Sequence, residues 1–202
     1  FLPRHQAENG FQIITGDAAR AAAEYAAKTA YKETDAATYQ AMEALVHNLN
    51  TMNSRAGAQV PFSSLNYGTD TSPEGRMAVH NLLRATEAGL GDGETPIFPV
   101  QIFKVKEGVN YNEGDPNYDL FRHALRCSAK RLFPNFSFLD APFNLQYYKP
   151  GDYNTEVAYM GCRTRVMGNV FDNTKEVTCG RGNLSFTSIN LPRIGIEAKG
   201  DM

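Results

Sequence analysis

The sequence predicts an α/β fold with a partly parallel sheet, and three observations carry that reading. Helix-forming stretches alternate with short apolar runs, in the order helix, helix, strand, helix, strand, helix and then several short strands. Such alternation builds a sheet covered by helices. The run from Ile97 to Val105 is apolar, β-branched and aromatic, which suits a buried strand. Two polar-Pro pairs, Ser72-Pro73 and Asp115-Pro116, mark helix starts between the runs.

Taken in order, residues Asp17 to Lys32 are rich in alanine, the strongest helix former, and predict a first helix. Thr34-Asp35 supplies an N-cap for a second helix. Its apolar residues Tyr39, Met42, Val46, Leu49 and Met52 recur at spacings of three and four and so share one face. These N-terminal helices are expected over about 17–57, with Gly57 near the end. Val60 to Gly68 reads as extended, with the strand starting after Pro61 because proline cannot donate to a ladder. The helix begun by Ser72-Pro73 carries Met77, Leu82 and Leu83 and ends near Gly89 or Gly91. The helix begun by Asp115-Pro116 carries Tyr118, Phe121, Leu125 and Leu132. Beyond Phe133-Pro134, short apolar runs at Phe136 to Leu139, Val157 to Met160 and Leu184 to Leu191 are separated by Gly, Asn and Pro.

Composition bounds the function. The chain has 202 residues, 42% of them hydrophobic and 21% charged, so it can bury a core and is not compositionally disordered. A net charge of −2 leaves no footprint for nucleic acid or an anionic membrane. No apolar run approaches the roughly 20 residues of a membrane span. The N-terminal Phe1-Leu2-Pro3-Arg4-His5 lacks an apolar signal-peptide core and the C-terminal Lys199-Gly200-Asp201-Met202 has no capping signal, so both ends are expected to be internal to a longer protein. Three cysteines, Cys127, Cys162 and Cys179, with no C-x-x-C pair, argue against a disulfide framework and fit a reducing, cytoplasmic setting. His5, His47, His80 and His123 are scattered, have no metal-ligand spacing and read as helix-surface residues; no metal site is expected.

Three segments exceed what a structural role requires. In Tyr159-Met160-Gly161-Cys162-Arg163-Thr164-Arg165 a strand ends at Met160, and the cysteine falls at a loop tip between two arginines. It is either a buried inert thiol or a reactive one whose pKa the arginines lower. In Gly180-Arg181-Gly182-Asn183-Leu184-Ser185-Phe186-Thr187-Ser188 two glycines precede an alternating strand that puts Ser185, Thr187 and Asn183 on one face. That is a ligand-facing strand or a half-solvated one. From Asn50 to Asn66, amide and hydroxyl groups crowd the passage from helix to strand, forming either a polar turn or a phosphate or sugar site. No Walker loop and no G-x-G-x-x-G occurs.

Five stretches in order resemble the anaerobic, glycyl-radical ribonucleoside-triphosphate reductases. They are NLNTMNSRAGAQVPFSSLNYGT (48–69), GETPIFPVQIFKVKEGVNYN (93–112), AKRLFPNFSFLDAPFNLQYYKPG (129–151), VAYMGCRTRVMGNV (157–170) and GRGNLSFTSINLPRIGI (180–196). The resemblance implies a ten-stranded α/β barrel whose central finger loop carries the reacting cysteine, here Cys162. On this basis residues 1–202 form a single partial catalytic-core domain, with barrel strands, helices and finger loop over about 60–196. A glycyl radical elsewhere in the enzyme would oxidise Cys162 to a thiyl radical, which abstracts hydrogen from C3′ of the ribose. Asn183 would hydrogen-bond the ribose hydroxyls, and Asn53, Ser54, Ser63 and Ser64 would line the substrate. The arginines then anchor the finger rather than activate a thiolate. Cys127 and Cys179 would be ordinary free thiols.

The resemblance further implies a ribonucleoside triphosphate substrate, formate or a thiol system as reductant, a radical-SAM iron–sulfur activating enzyme and a homodimer of the full protein. The family's R-V-x-G-Y glycyl loop, zinc-binding cysteines, ATP cone with its effector site, and upstream strand bearing a second active-site cysteine have no match in these residues. A fragment unable to turn over alone is therefore expected. Two other readings remain: a non-catalytic nucleotide-binding or scaffold fragment, and another glycyl-radical barrel enzyme.

Overall fold

The computed structural model describes residues 8, 16–53, 57–161, 164–166, 172 and 188–199. Within them, three parallel strands form a sheet in the order β1-β2-β3: β1 (Ser64–Tyr67), β2 (Val100–Val105) and β3 (Asn135–Phe138). Helices α1 (Gly16–Thr51), α2 (Pro73–Ala88) and α3 (Tyr118–Arg131) carry the chain before and between the strands. A single turn α4 (Pro142–Leu145) and a 3₁₀ turn (Tyr153–Thr155) then lead to a hairpin of β4 (Ala158–Met160) and β5 (Thr164–Val166). Helix α5 (Leu191–Ala198) follows. The expected α/β class with a parallel sheet is thus present.

Register follows from burial. Tyr67 pairs with Phe103 and Phe103 with Phe136, so these three rings lie on one face of the sheet. There Phe103 and Val105 join Val79, Leu83, Leu120, Ala124 and Cys127 from α2 and α3. A second cluster of Val46, Leu82 and Ala85, flanked by Tyr39, Met42 and Leu65, seals α1 onto α2. Each fully buried Val, Leu or Phe side chain among them contributes about 1.5–3 kcal/mol of transfer free energy. Polar groups under the sheet are matched. Tyr67 Oη donates to Gln101 Oε1 (2.6 Å), Gln101 Nε2 to Thr86 Oγ1 (2.8 Å) and Thr86 Oγ1 to Leu82 O (2.8 Å).

Several expected boundaries moved. The two N-terminal helices are one, Gly16–Thr51. No Gly or Pro interrupts its interior, and Thr34 and Asp35 do not cap. Thr34 O accepts from Thr38 Oγ1, while Asp35 Oδ1 accepts from Asn81 Nδ2 (2.8 Å), so the carboxylate serves a neighbouring helix. The helix stops at Thr51, not near Gly57, and Met52 is exposed. Strand β2 starts at Val100 rather than Ile97, because Pro99 has no N–H for the ladder and Ile97 points outward. Helix α3 starts at Tyr118, since Asp115 instead closes a turn by accepting from Asn112 N (2.8 Å). On it Leu125 and Leu132 are exposed, and Leu132 adopts a left-handed cap at φ 65°. His123 is buried, not superficial, with Nε2 3.2 Å from Glu87 Oε2. The strand expected up to Leu191 gives way to α5, whose N-cap Asn190 accepts from Arg193 N.

The α2 ends match expectation. Ser72 Oγ accepts from Gly75 N (3.1 Å) with Pro73 at the first turn. At the other end Gly89 takes φ +86°, where an added Cβ would lie 2.7 Å from Glu94 O. The Arg131 guanidinium covers the orphan carbonyls there, donating to Glu87 O and Ala88 O (both 2.9 Å from Nε and Nη2 respectively).

Candidate functional site

The face of the sheet away from the helices has a different chemistry. Because strand side chains alternate, Ser64 and Asn66 of β1 project opposite to Leu65 and Tyr67. Lys104 of β2 lies on that same side, paired in register with Ser137 of β3. This face meets the segment leading into the hairpin.

Asn66 is bonded twice to one hairpin residue. Its Nδ2 donates to Tyr159 O (2.8 Å), and its Oδ1 accepts from Tyr159 N (2.9 Å). The amide thus imitates a neighbouring main chain and satisfies both backbone groups of Tyr159. Two residues earlier on β1, Ser64 Oγ accepts from Gly161 N (3.2 Å). At the hairpin's base Lys104 Nζ pairs with Glu156 Oε1 at 2.7 Å, with both side chains nearly withdrawn from solvent, at 13% and 10% exposure. On the far arm Arg165 stacks over Phe143 (5.0 Å) and donates to Asn144 Oδ1 (3.3 Å).

Gly161 closes the described end of β4 at φ +60°, a left-handed conformation, and a Cβ there would lie 3.1 Å from the Phe62 ring. Strand β4 ends at Met160, as the sequence predicts, and pairs antiparallel with β5 through Met160↔Thr164. Cys162 and Arg163 lie between these strands in sequence and outside the described residues. So do Ser54, Cys179 and Asn183 with its strand. Of the remaining expected substrate-lining residues, Asn53 is exposed just beyond α1. Ser63 and Ser64 sit together where β1 begins. Among the described residues Ser63 Oγ is buried with no hydrogen-bond partner, whereas Ser64 Oγ accepts from Gly161 N.

Sequence reasoning placed Asn66 inside the polar segment but gave it no task, and it missed Lys104, Glu156 and Asn144. A signal was present: asparagine is depleted in strands, and a lysine within an apolar strand is rarely buried without a partner. Cys127 is a free, buried thiol. Burial, with the Glu87 charge behind it, pushes its pKa up to about 11, so it is an unreactive neutral thiol at physiological pH.

Among the described residues no three His, Cys, Asp or Glu side chains converge on a metal position. Among the same residues no helix is long and apolar enough to cross a membrane.

Comparison with known proteins bears on what this hairpin belongs to. The family model described as anaerobic ribonucleoside-triphosphate reductase matches residues 14–202. The anaerobic ribonucleoside-triphosphate reductase of Escherichia coli (strain K12) is 37% identical over 164 residues, covering 81% of this chain and 22% of that protein. The enzyme of the same name from Enterobacteria phage T4 is 36% identical over 170 residues, covering 84% of this chain and 27% of its own length. The Haemophilus influenzae protein of that name is 35% identical over 164 residues, again 81% of this chain. The chain therefore spans about a quarter of its curated relatives. With a family match running almost from end to end, the chain belongs to the anaerobic ribonucleoside-triphosphate reductase family.

Proposed function

We propose that this chain is the finger-bearing segment of the catalytic core of an oxidoreductase that converts ribonucleoside triphosphates to 2′-deoxyribonucleoside triphosphates. The observation that carries the reading is the hairpin around Cys162, tied by Ser64 and Asn66 to one face of a parallel sheet. A sheet with helices on one face and Ser64, Asn66, Lys104 and Ser137 beside Val100 and Ile102 on the other suits an arc of the family's ten-stranded barrel, with substrate on the side away from the helices. Residues 1–202 then act as one partial catalytic-core domain.

The one-electron oxidation would come from a glycyl radical in the remainder of the polypeptide. On this chain the Cys162 thiol gives up its hydrogen atom, and the sulfur then takes the hydrogen from C3′ of the ribose. Sulfur–hydrogen and activated carbon–hydrogen bonds are similar in strength, so the exchange is nearly balanced and reversible. Catalysis is then mostly positioning. Asn183 holds the ribose hydroxyls, and the 2′-hydroxyl leaves with a proton as water. Two electrons and a proton from formate or a thiol system complete the reduction, and Cys162 returns its hydrogen to C3′. Asn53, Ser54, Ser63 and Ser64 line the substrate. Ser63 fits that role through a buried hydroxyl that has no partner among the described residues.

The activity requires the rest of the polypeptide, including its effector and zinc sites, a radical-SAM iron–sulfur activase and, on the family pattern, a homodimer. A reducing cytoplasmic setting suits a reacting thiol. The decisive test is Cys162→Ala in the complete reductase. Deoxynucleotide formation should vanish while the glycyl radical signal in electron paramagnetic resonance persists. Normal turnover would overturn the assignment and leave the alternative of a nucleotide-binding scaffold.

A further inference from the structure

The geometry points to Asn66 as the positioning residue of the reaction, acting through the hairpin main chain with Ser64 as its second contact. The inference rests on the reading of Cys162 as the reacting thiol.

Asn66 and Ser64 hold Tyr159 and Gly161, the latter being the residue directly before Cys162. The bonds are made by side chains of β1, a strand that is itself fixed by parallel pairing of all four of its residues to β2. The anchors join residues 93 and 97 positions apart, so no local turn preference can replace them. Asparagine suits this position because Tyr159 presents one donor and one acceptor, and a primary amide offers the complementary acceptor and donor in one plane. Both ends of the amide are used, which fixes its orientation. Gly161 completes the arrangement: its φ of +60° lets the chain turn at the last anchored residue, and the missing Cβ leaves room for Phe62. The step this serves is hydrogen-atom transfer between sulfur and C3′, whose rate falls steeply with distance. A misplacement of about 1 Å can cost roughly 100-fold.

The test uses the complete, activated reductase. Asn66→Ala should lower kcat about 100-fold while KM for the nucleoside triphosphate stays within about 3-fold, because binding groups are untouched. Glycyl radical yield should match the native enzyme. Asn66→Asp keeps the acceptor for Tyr159 N but sets a carboxylate against Tyr159 O. Its kcat relative to native should be low at neutral pH and recover as pH falls, when the protonated acid can donate. A residue that only stabilised the fold would instead lower radical yield and melting temperature together and show no such recovery. Ser64→Ala, which removes the bond to Gly161 together with a substrate-lining hydroxyl, should lower kcat by about 10-fold and also raise KM. If Asn66→Ala keeps native kcat while Cys162→Ala is dead, positioning by Asn66 is overturned. A parallel loss of radical yield and stability, without recovery in Asn66→Asp, overturns it equally. If Cys162→Ala is active, the underlying reading fails instead.

Discussion

The two faces of the parallel sheet are held by different physics. On the helix side, Phe103, Leu83, Ala124 and Cys127 are fully buried, and attachment scales with apolar area. On the hairpin side, buried Val100 and Ile102 share the face with three side-chain hydrogen bonds and one ion pair, made by Ser64, Asn66 and Lys104. Each hydrogen bond contributes about 1 kcal/mol net. The helix side therefore supplies stability in bulk and tolerates graded change. The hairpin side adds directional bonds to its apolar contacts, and one wrong atom misdirects it.

The largest loss is expected on the helix side. Phe103→Ala should cost about 4 kcal/mol, as large-to-small changes in tight aromatic clusters do, read as a lowered midpoint in equilibrium denaturation. Next, Lys104→Met leaves Glu156 almost buried and unpaired, and should cost about 3 kcal/mol. The double change with Glu156→Leu should recover most of that loss, because it removes the stranded charge; no recovery would show that the pair is not what Lys104 contributes. The smallest effect is a pH response of the helix side. Partial burial, then the nearby His123 and Arg84, lower the His80 pKa, while Asp35 and Asp119 oppose them. The unfolded chain then takes up this proton more readily than the folded one, so this contribution is neutral at higher pH and stability falls as pH drops through about 6.5. His80→Gln should flatten that part of the stability–pH curve.

The same contrast explains what could be read from sequence. Helix α2 was legible because Ser72, Pro73 and Gly89 act within a few residues of the backbone they shape. The strand after Pro61 and the strand end at Met160 followed for the same reason. The split of α1 failed because Asp35, a good cap in isolation, is engaged by Asn81 and Arg84 across a helix interface. The buried His123 was missed likewise, since its partner Glu87 lies on another helix. Cys162 was singled out by its loop position and by long motif resemblance. The groups that hold its hairpin were not, because contacts between residues 52 to 97 positions apart leave no periodicity to detect.

That separation also sets an order in time. A ribosome adds roughly 5–20 residues per second, so Tyr159 follows Asn66, 93 positions earlier, by roughly 5–20 s. The other two parallel strands, ending at Phe138, are made within that interval. The helix side can therefore close first, while Ser64, Asn66 and Lys104 wait for a partner not yet synthesised. Polar side chains suit such a wait, since water serves them meanwhile. An equally large apolar docking strip would spend those seconds as a target for aggregation.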